Sequence, residues 1–220
     1  MSYSGYQTKS VLNYDCLVAI FENLTDQDLI NYCIATSGTN DKRDKHYNAA
    51  VREYYIHKVS VNGLNITSDV VPFLLDNLIP VFKDEIQKGC HTLRLLLGDD
   101  DYTTREQLRY VLRPCYRIGL TNLRTIFLQG RLDCLPYELI TMVSFLKTVT
   151  RITFDCEFRS TFQSAKEANR EFWTPISRFI DENNDNNLHM YFNRAKLTPA
   201  YEKMLQAVNL QFVRVHMHFF

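Results

Sequence analysis

The run TNLRTIFLQG, residues 121–130, decides the fold. Its apolar residues Leu123, Ile126 and Leu128 stand as L-x-x-L-x-L. Threonine, isoleucine and phenylalanine fill the run and a glycine ends it, which suits a strand. The same spacing returns at Val149, Ile152 and Phe154, at Leu210, Val213 and Val215, and more loosely at Cys90, Leu93 and Leu95. Alternate side chains of a strand point to opposite faces, so each copy offers one apolar row to a core.

Working outward, further β-rich runs occur at 58–63 (KVSVNG) and 187–195 (NLHMYFNRA). Helix-compatible segments separate the runs, at 68–88, 103–119, 135–148, 161–182 and 198–208. Strand follows strand at intervals of roughly 24 to 36 residues, the range of solenoid repeats. A strand, a helix and a return to a parallel strand form the unit of an α/β solenoid. A doubly wound α/β domain alternates in the same way but usually carries a glycine-rich phosphate loop. Here there are seven glycines and neither G-x-G-x-x-G nor G-x-x-x-x-G-K-[ST]. The expected fold class is therefore α/β, with a parallel sheet built by a short solenoid over residues 59–220.

Residues 10–58 read differently. VLNYDCLVAIFENLTDQDL, residues 11–29, has apolar positions at Leu12, Leu17, Ile20, Phe21 and Leu24, then Leu29. Thr25 or Asp26 is a plausible cap for a second short helix over 27–36. Ser37, Gly38, Thr39 and Asn40 make a loop by composition. A longer charged helix is expected over 41–58, with Tyr47, Val51, Tyr54 and Tyr55 along one side.

Composition sets the remaining bounds. The chain has 220 residues, 45% of them hydrophobic, which suffices for a packed core. The 25 basic and 25 acidic residues cancel, which argues against a general phosphate-binding surface. No run approaches the roughly 18 apolar residues of a membrane span, and residues 1–10 lack the apolar core of a signal peptide. The six cysteines form no C-x-x-C pair and are expected to be reduced and mostly buried, in the cytoplasm and/or nucleus. Asn23-Leu-Thr25 and Asn65-Ile-Thr67 match the glycosylation acceptor pattern by chance in that setting. The triplet Asp99–Asp101 is expected to favour a following helix N-terminus. His216-Met-His218 shares a strand face, with His189 on a neighbouring strand. A metal site there lacks a carboxylate or cysteine fixed beside it. No nucleophile elbow, H-E-x-x-H motif or phosphate loop is present, so neither catalysis nor a cofactor or metal is expected.

The stretch Leu12–Leu29 resembles an F-box, whose pattern is roughly L-P-x-E-[apolar]-[apolar]-x-x-I-F-x-x-L-x-x-x-D-L. Leu12, Asn13, Tyr14, Asp15, Cys16, Leu17, Ile20, Phe21, Leu24, Asp28 and Leu29 fill it in register. Asn13 stands at the proline place, and the later V-C-[KR]-x-W segment is not matched. The remainder resembles, in divergent form, the leucine-rich-repeat domains that often follow F-boxes. The resemblance implies a three-helix module docking on the Skp adaptor of an SCF ubiquitin ligase. Leu12, Asn13, Leu17, Ile20, Phe21, Leu24 and Leu29 become candidates for that interface and for the module's core. A second protein, the ligase target, is expected on the solenoid. If the L-x-x-L-x-L positions point inward, the exposed sheet face carries Arg94, Thr125, Phe127, Arg151, Thr153, His189, Tyr191, Arg214 and His216, residue types suited to protein recognition. No nucleic-acid or membrane partner is expected, and the apolar C-terminal strand makes self-association possible. The competing expectation is a non-catalytic scaffold whose degenerate F-box does not engage the ligase. The same helices would then only cap the open end of the solenoid core.

Overall fold

The computed structural model describes residues 12–98, 101–133, 148–158, 188–193 and 213–218. The helices expected over 135–148, 161–182 and 198–208 lie outside the described residues, apart from Thr148.

Three helices come first: α1 (Tyr14–Phe21), α2 (Asp26–Thr36) and α3 (Lys42–Asn62). Each start is fixed by a side-chain cap, which satisfies backbone N–H groups that the helix itself leaves open. Asn13 Oδ1 accepts the Cys16 N–H at 2.9 Å. Thr25 and Asp28 form a reciprocal capping box: the Asp28 N–H reaches Thr25 Oγ1 at 3.2 Å and the Thr25 N–H reaches Asp28 Oδ2 at 2.9 Å. Asp41 accepts the Arg43 N–H at 2.8 Å. The break after the first greasy helix is thus a second helix start.

The strand expected at 58–63 is not formed. Helix α3 continues through Asn62, across the 58/59 division, and β1 is Leu64–Ile66. Val59 and Val61 alternate like a strand, but Val59 also lies four residues after Tyr55, and both are buried on the helix. Gly63 stops the helix. Its N–H bonds the Val59 carbonyl at 2.8 Å, its φ is 71°, and an added Cβ would lie 2.6 Å from the Thr92 carbonyl oxygen.

After β1 come α4 (Val71–Phe73), a π-helical turn (Leu74–Leu78) and α5 (Ile79–Gly89). Pro80 explains the widened turn. It has no N–H for the Asp76 carbonyl four residues back, and its ring crowds that carbonyl. Next are β2 (Thr92–Leu96), α6 (Arg105–Ile118), β3 (Thr125–Leu132), β4 (Arg151–Phe158), β5 (Leu188–Asn193) and β6 (Val213–His218). Helix α6 is capped by a Thr104–Gln107 box, not by the acidic triplet, of which Asp101 alone is described.

The molecule is α/β. The six strands among the described residues form one sheet in the order β1-β2-β3-β4-β5-β6, and every neighbouring pair is parallel. The start of one strand bonds the start of the one before it in a repeated way. The Arg124 and Thr125 N–H groups reach His91 O, those of Thr150 and Arg151 reach Arg124 O, and that of His189 reaches Thr150 O, all at 2.8–3.1 Å. Burial alternates along β2 and β3. Leu93, Leu95, Ile126, Leu128, Ile152, Phe154, Leu188 and Met190 form the covered face.

The helical module and the sheet unit share one core, running from Leu17 to Met190. At the junction the Tyr55 and Phe82 rings stack at 4.2 Å and 8°. Beside them Arg52 Nη1 donates to Glu85 Oε1 at 2.8 Å and to Val81 O at 3.2 Å. Glu85 is almost fully buried, and a buried carboxylate is tolerated only with such a partner. No described helix is long and apolar enough to cross a membrane.

Candidate functional site

Two surfaces emerge, one on α1 and α2, the other on the sheet. On α1, Leu17 and Phe21 turn inward, and the Phe21 ring meets Tyr54 at 5.5 Å. Leu29 is fully buried on α2. These three candidates for adaptor contact are therefore core residues of their own module; a period of 3.6 places them on the face that packs on α3. Asn13 serves α1 as its N-cap. The remaining three stay open: Leu12 is 43% exposed, Ile20 46% and Leu24 36%.

Sequence reading missed Ile34, which is 57% exposed near the end of α2, and Cys16, which is exposed one turn before Ile20. For Cys16 the signal was available, since it stands four residues before Ile20 on the same helix. At about 100° per residue, Cys16 and Ile20 fall on one flank of α1. Asp15, Ala19 and Glu22 fall on the other. That second flank lines a groove of about 630 Å³ against α3, completed by Glu53, Tyr54, Ile56 and His57. Burial and the nearby Glu53 charge together raise the Tyr14 phenol above its ordinary value.

On the sheet, the register aligns the expected face into rows about 4.8 Å apart from strand to strand. Thr92, Thr125, Arg151, His189 and Arg214 occupy one row. Arg94, Phe127, Thr153, Tyr191 and His216 occupy the next. Sequence spacing thus brings all nine candidates into two adjacent rows; for Arg214 and His216 the placement is one of backbone register.

Side-chain contacts organise the rows. The Arg151 guanidinium carbon lies 4.3 Å from the Tyr191 ring centre, and its Nε donates to Thr153 Oγ1 at 3.4 Å. Such a cation over a ring is attracted by the ring's negative face. The His189 and Tyr191 rings lie near parallel, 6.2 Å apart. Arg94 Nη1 donates to the Asn62 carbonyl, tying this face to the end of α3. Thr153 is buried beneath its neighbours, the one described candidate without open surface. Toward the strand C-termini the chemistry changes. Arg131 and Glu157 pair at 3.3 Å, and the Tyr102 hydroxyl donates to Glu157 at 3.0 Å.

Other chemistry is sparse. No group of three or more possible metal ligands gathers among the described residues. Cys33, Cys90, Cys115 and Cys156 are buried free thiols. Burial pushes the Cys90 thiol up to about 12 and raises Cys33 and Cys115 as well, which keeps them un-ionised and inert. A cavity of about 220 Å³ sits beyond the ends of β1 and β2, lined by Ser68, Leu97, Asp101, Thr103 and Gln107 among others. It is smaller than the roughly 300–1,000 Å³ of ordinary small-molecule sites, and Gln107 is already engaged in capping α6.

Compared with protein-family models, curated proteins and solved structures, the chain finds no match in any of the three.

Proposed function

We propose that the chain is an F-box-type adaptor, bridging the Skp subunit of an SCF ubiquitin ligase to a protein target. In this reading α1–α3 form the F-box-like module and the sheet unit is a leucine-rich-repeat-like solenoid. The observation that carries it is the open apolar set Leu12, Ile20, Leu24 and Ile34 on and beside α1 and α2, whose Leu17, Phe21, Leu29, Ile30 and Cys33 are packed. A set of neighbouring aliphatic anchors is what gives a protein interface most of its affinity. The sequential parallel sheet supports the second half of the reading, since it offers a broad face with arginine and aromatic side chains. The chain itself performs no chemistry. Its contribution to ubiquitin transfer is positional, holding two proteins close enough to react. Its place of action is the cytoplasm and/or nucleus.

The test is capture of the full chain by a purified Skp adaptor. Binding is expected with wild type. It should fall at least about tenfold with Ile20→Asp, while the far-UV circular dichroism melt stays unchanged because Ile20 is exposed. Phe21→Asp, by contrast, should unfold the module. Failure of wild type to bind where an established F-box protein succeeds overturns the ligase reading. It would favour the second reading, a non-catalytic scaffold with a degenerate F-box. Asn13 favours that alternative, because the proline place is taken by a residue whose side chain is engaged in capping.

A further inference from the structure

We infer that the sheet face takes an acidic, extended segment of a protein partner, laid across the strands along the rows of Arg94 and Arg151. This rests on the reading of that face as the target surface and names the class of target.

The argument begins with charge. The whole chain is balanced, 25 basic against 25 acidic residues. The two rows nearest the strand N-termini are not. Their register positions hold Arg94, Arg151 and Arg214, with His189 and His216, and no aspartate or glutamate. Among the described strand residues, carboxylates enter the same face further along, at Asp155 and Glu157, and Glu157 is already paired with Arg131. The excess is local, so it selects a partner without making the whole molecule basic.

Geometry adds direction. Arg151 is exposed, yet it is held in place over the Tyr191 ring and against Thr153. The described bond uses one of five guanidinium N–H groups, and the planar fork suits a carboxylate. Arg94 is likewise anchored by one bond to the Asn62 carbonyl. Less side-chain entropy is lost when such groups bind. Between them Phe127 gives a half-buried aromatic surface for the apolar part of a peptide. A single-stranded nucleic acid fits less well. It needs free ring faces on which bases stack, and Tyr191 already stacks with Arg151 and His189.

The experiment pans a random decapeptide display library against the full chain. The selected peptides are expected to be enriched in aspartate and glutamate. A synthetic copy should lose about tenfold in affinity against the Arg94→Glu/Arg151→Glu variant. It should also weaken as salt rises from about 50 to about 500 mM. Should the double variant melt early, Arg151→Gln, a change at an exposed side chain, is expected to lose about threefold. Selection of neutral or basic peptides overturns the inference. So does unchanged affinity in the variants, or an oligouridine that binds more tightly than the peptide and competes with it. The Skp-adaptor capture is separate. Loss of adaptor binding with retained acidic-peptide binding removes the bridging role and keeps this inference, and the opposite result removes this inference alone.

Discussion

At the scale of single residues, the caps carry more of the architecture than their size suggests. The Thr25 hydroxyl and N–H hold the Asp28 carboxyl below its ordinary value of 3.8. A carboxyl lowered in the folded state stabilises above its unfolded value and ceases to as pH falls through the folded one. Thr25→Ala should therefore lower stability at neutral pH, and the difference from wild type should shrink as pH falls below about 4. Urea unfolding at several pH values measures this directly. Thr25 was readable as a cap because a threonine followed three residues later by an acid is a local signal. Asn13 was not read that way, although asparagine is among the strongest capping residues. The family pattern made it look like a misplaced proline, and that resemblance hid the simpler local chemistry.

At the scale of elements, two periods compete, and the outcome depends on length. Alternation in the runs at 91–98, 121–130 and 149–158 was legible because the inward positions are apolar and the opposite ones, Leu96 apart, are polar or aromatic. The run at 58–63 alternates as well, but it is the last turn of a helix of 21 residues, and a helix already under way extends more readily than a new strand begins. Gly63 is what finally stops it. Gly63→Ala forces a side chain into a left-handed conformation and onto the Thr92 carbonyl. The expected cost is about 2 kcal/mol, seen in a thermal melt as a midpoint lower by about 5 °C. The candidate surfaces were legible in halves. Spacing placed the sheet face well, since register follows directly from period. On α1 it listed Leu17, Ile20 and Phe21 but could not say which of them the chain keeps for its own core, because α3 supplies the covering side chains from far along the sequence.

At the scale of the whole molecule, the buried residues make one continuous core from Leu17 to Met190, with the Tyr55–Phe82 stack and the Arg52–Glu85 pair at the crossing between helices and sheet. A shared core of this kind predicts that α3 and β2 lose hydrogen-exchange protection together as urea is raised. Separate protection losses would show two independently folding units. The low glycine content and absent phosphate loop had already pointed away from a nucleotide-binding sheet, while the joining of module to sheet by an uninterrupted helix was not readable, because the sequence places no marker at residue 58. That helix has a directional consequence. From its cap at Asp41 to Gly63 it spans about 30 Å, with Phe21 packed near its middle through Tyr54 and the sheet tethered at its end through Asn62 and Arg94. It acts as a stiff strut with no pivot. In the proposed bridging role, a partner resting on Ile20 would keep a constant bearing and range toward one lying over Arg151, so cargoes would be selected by how they are oriented as well as by which chemical groups they present.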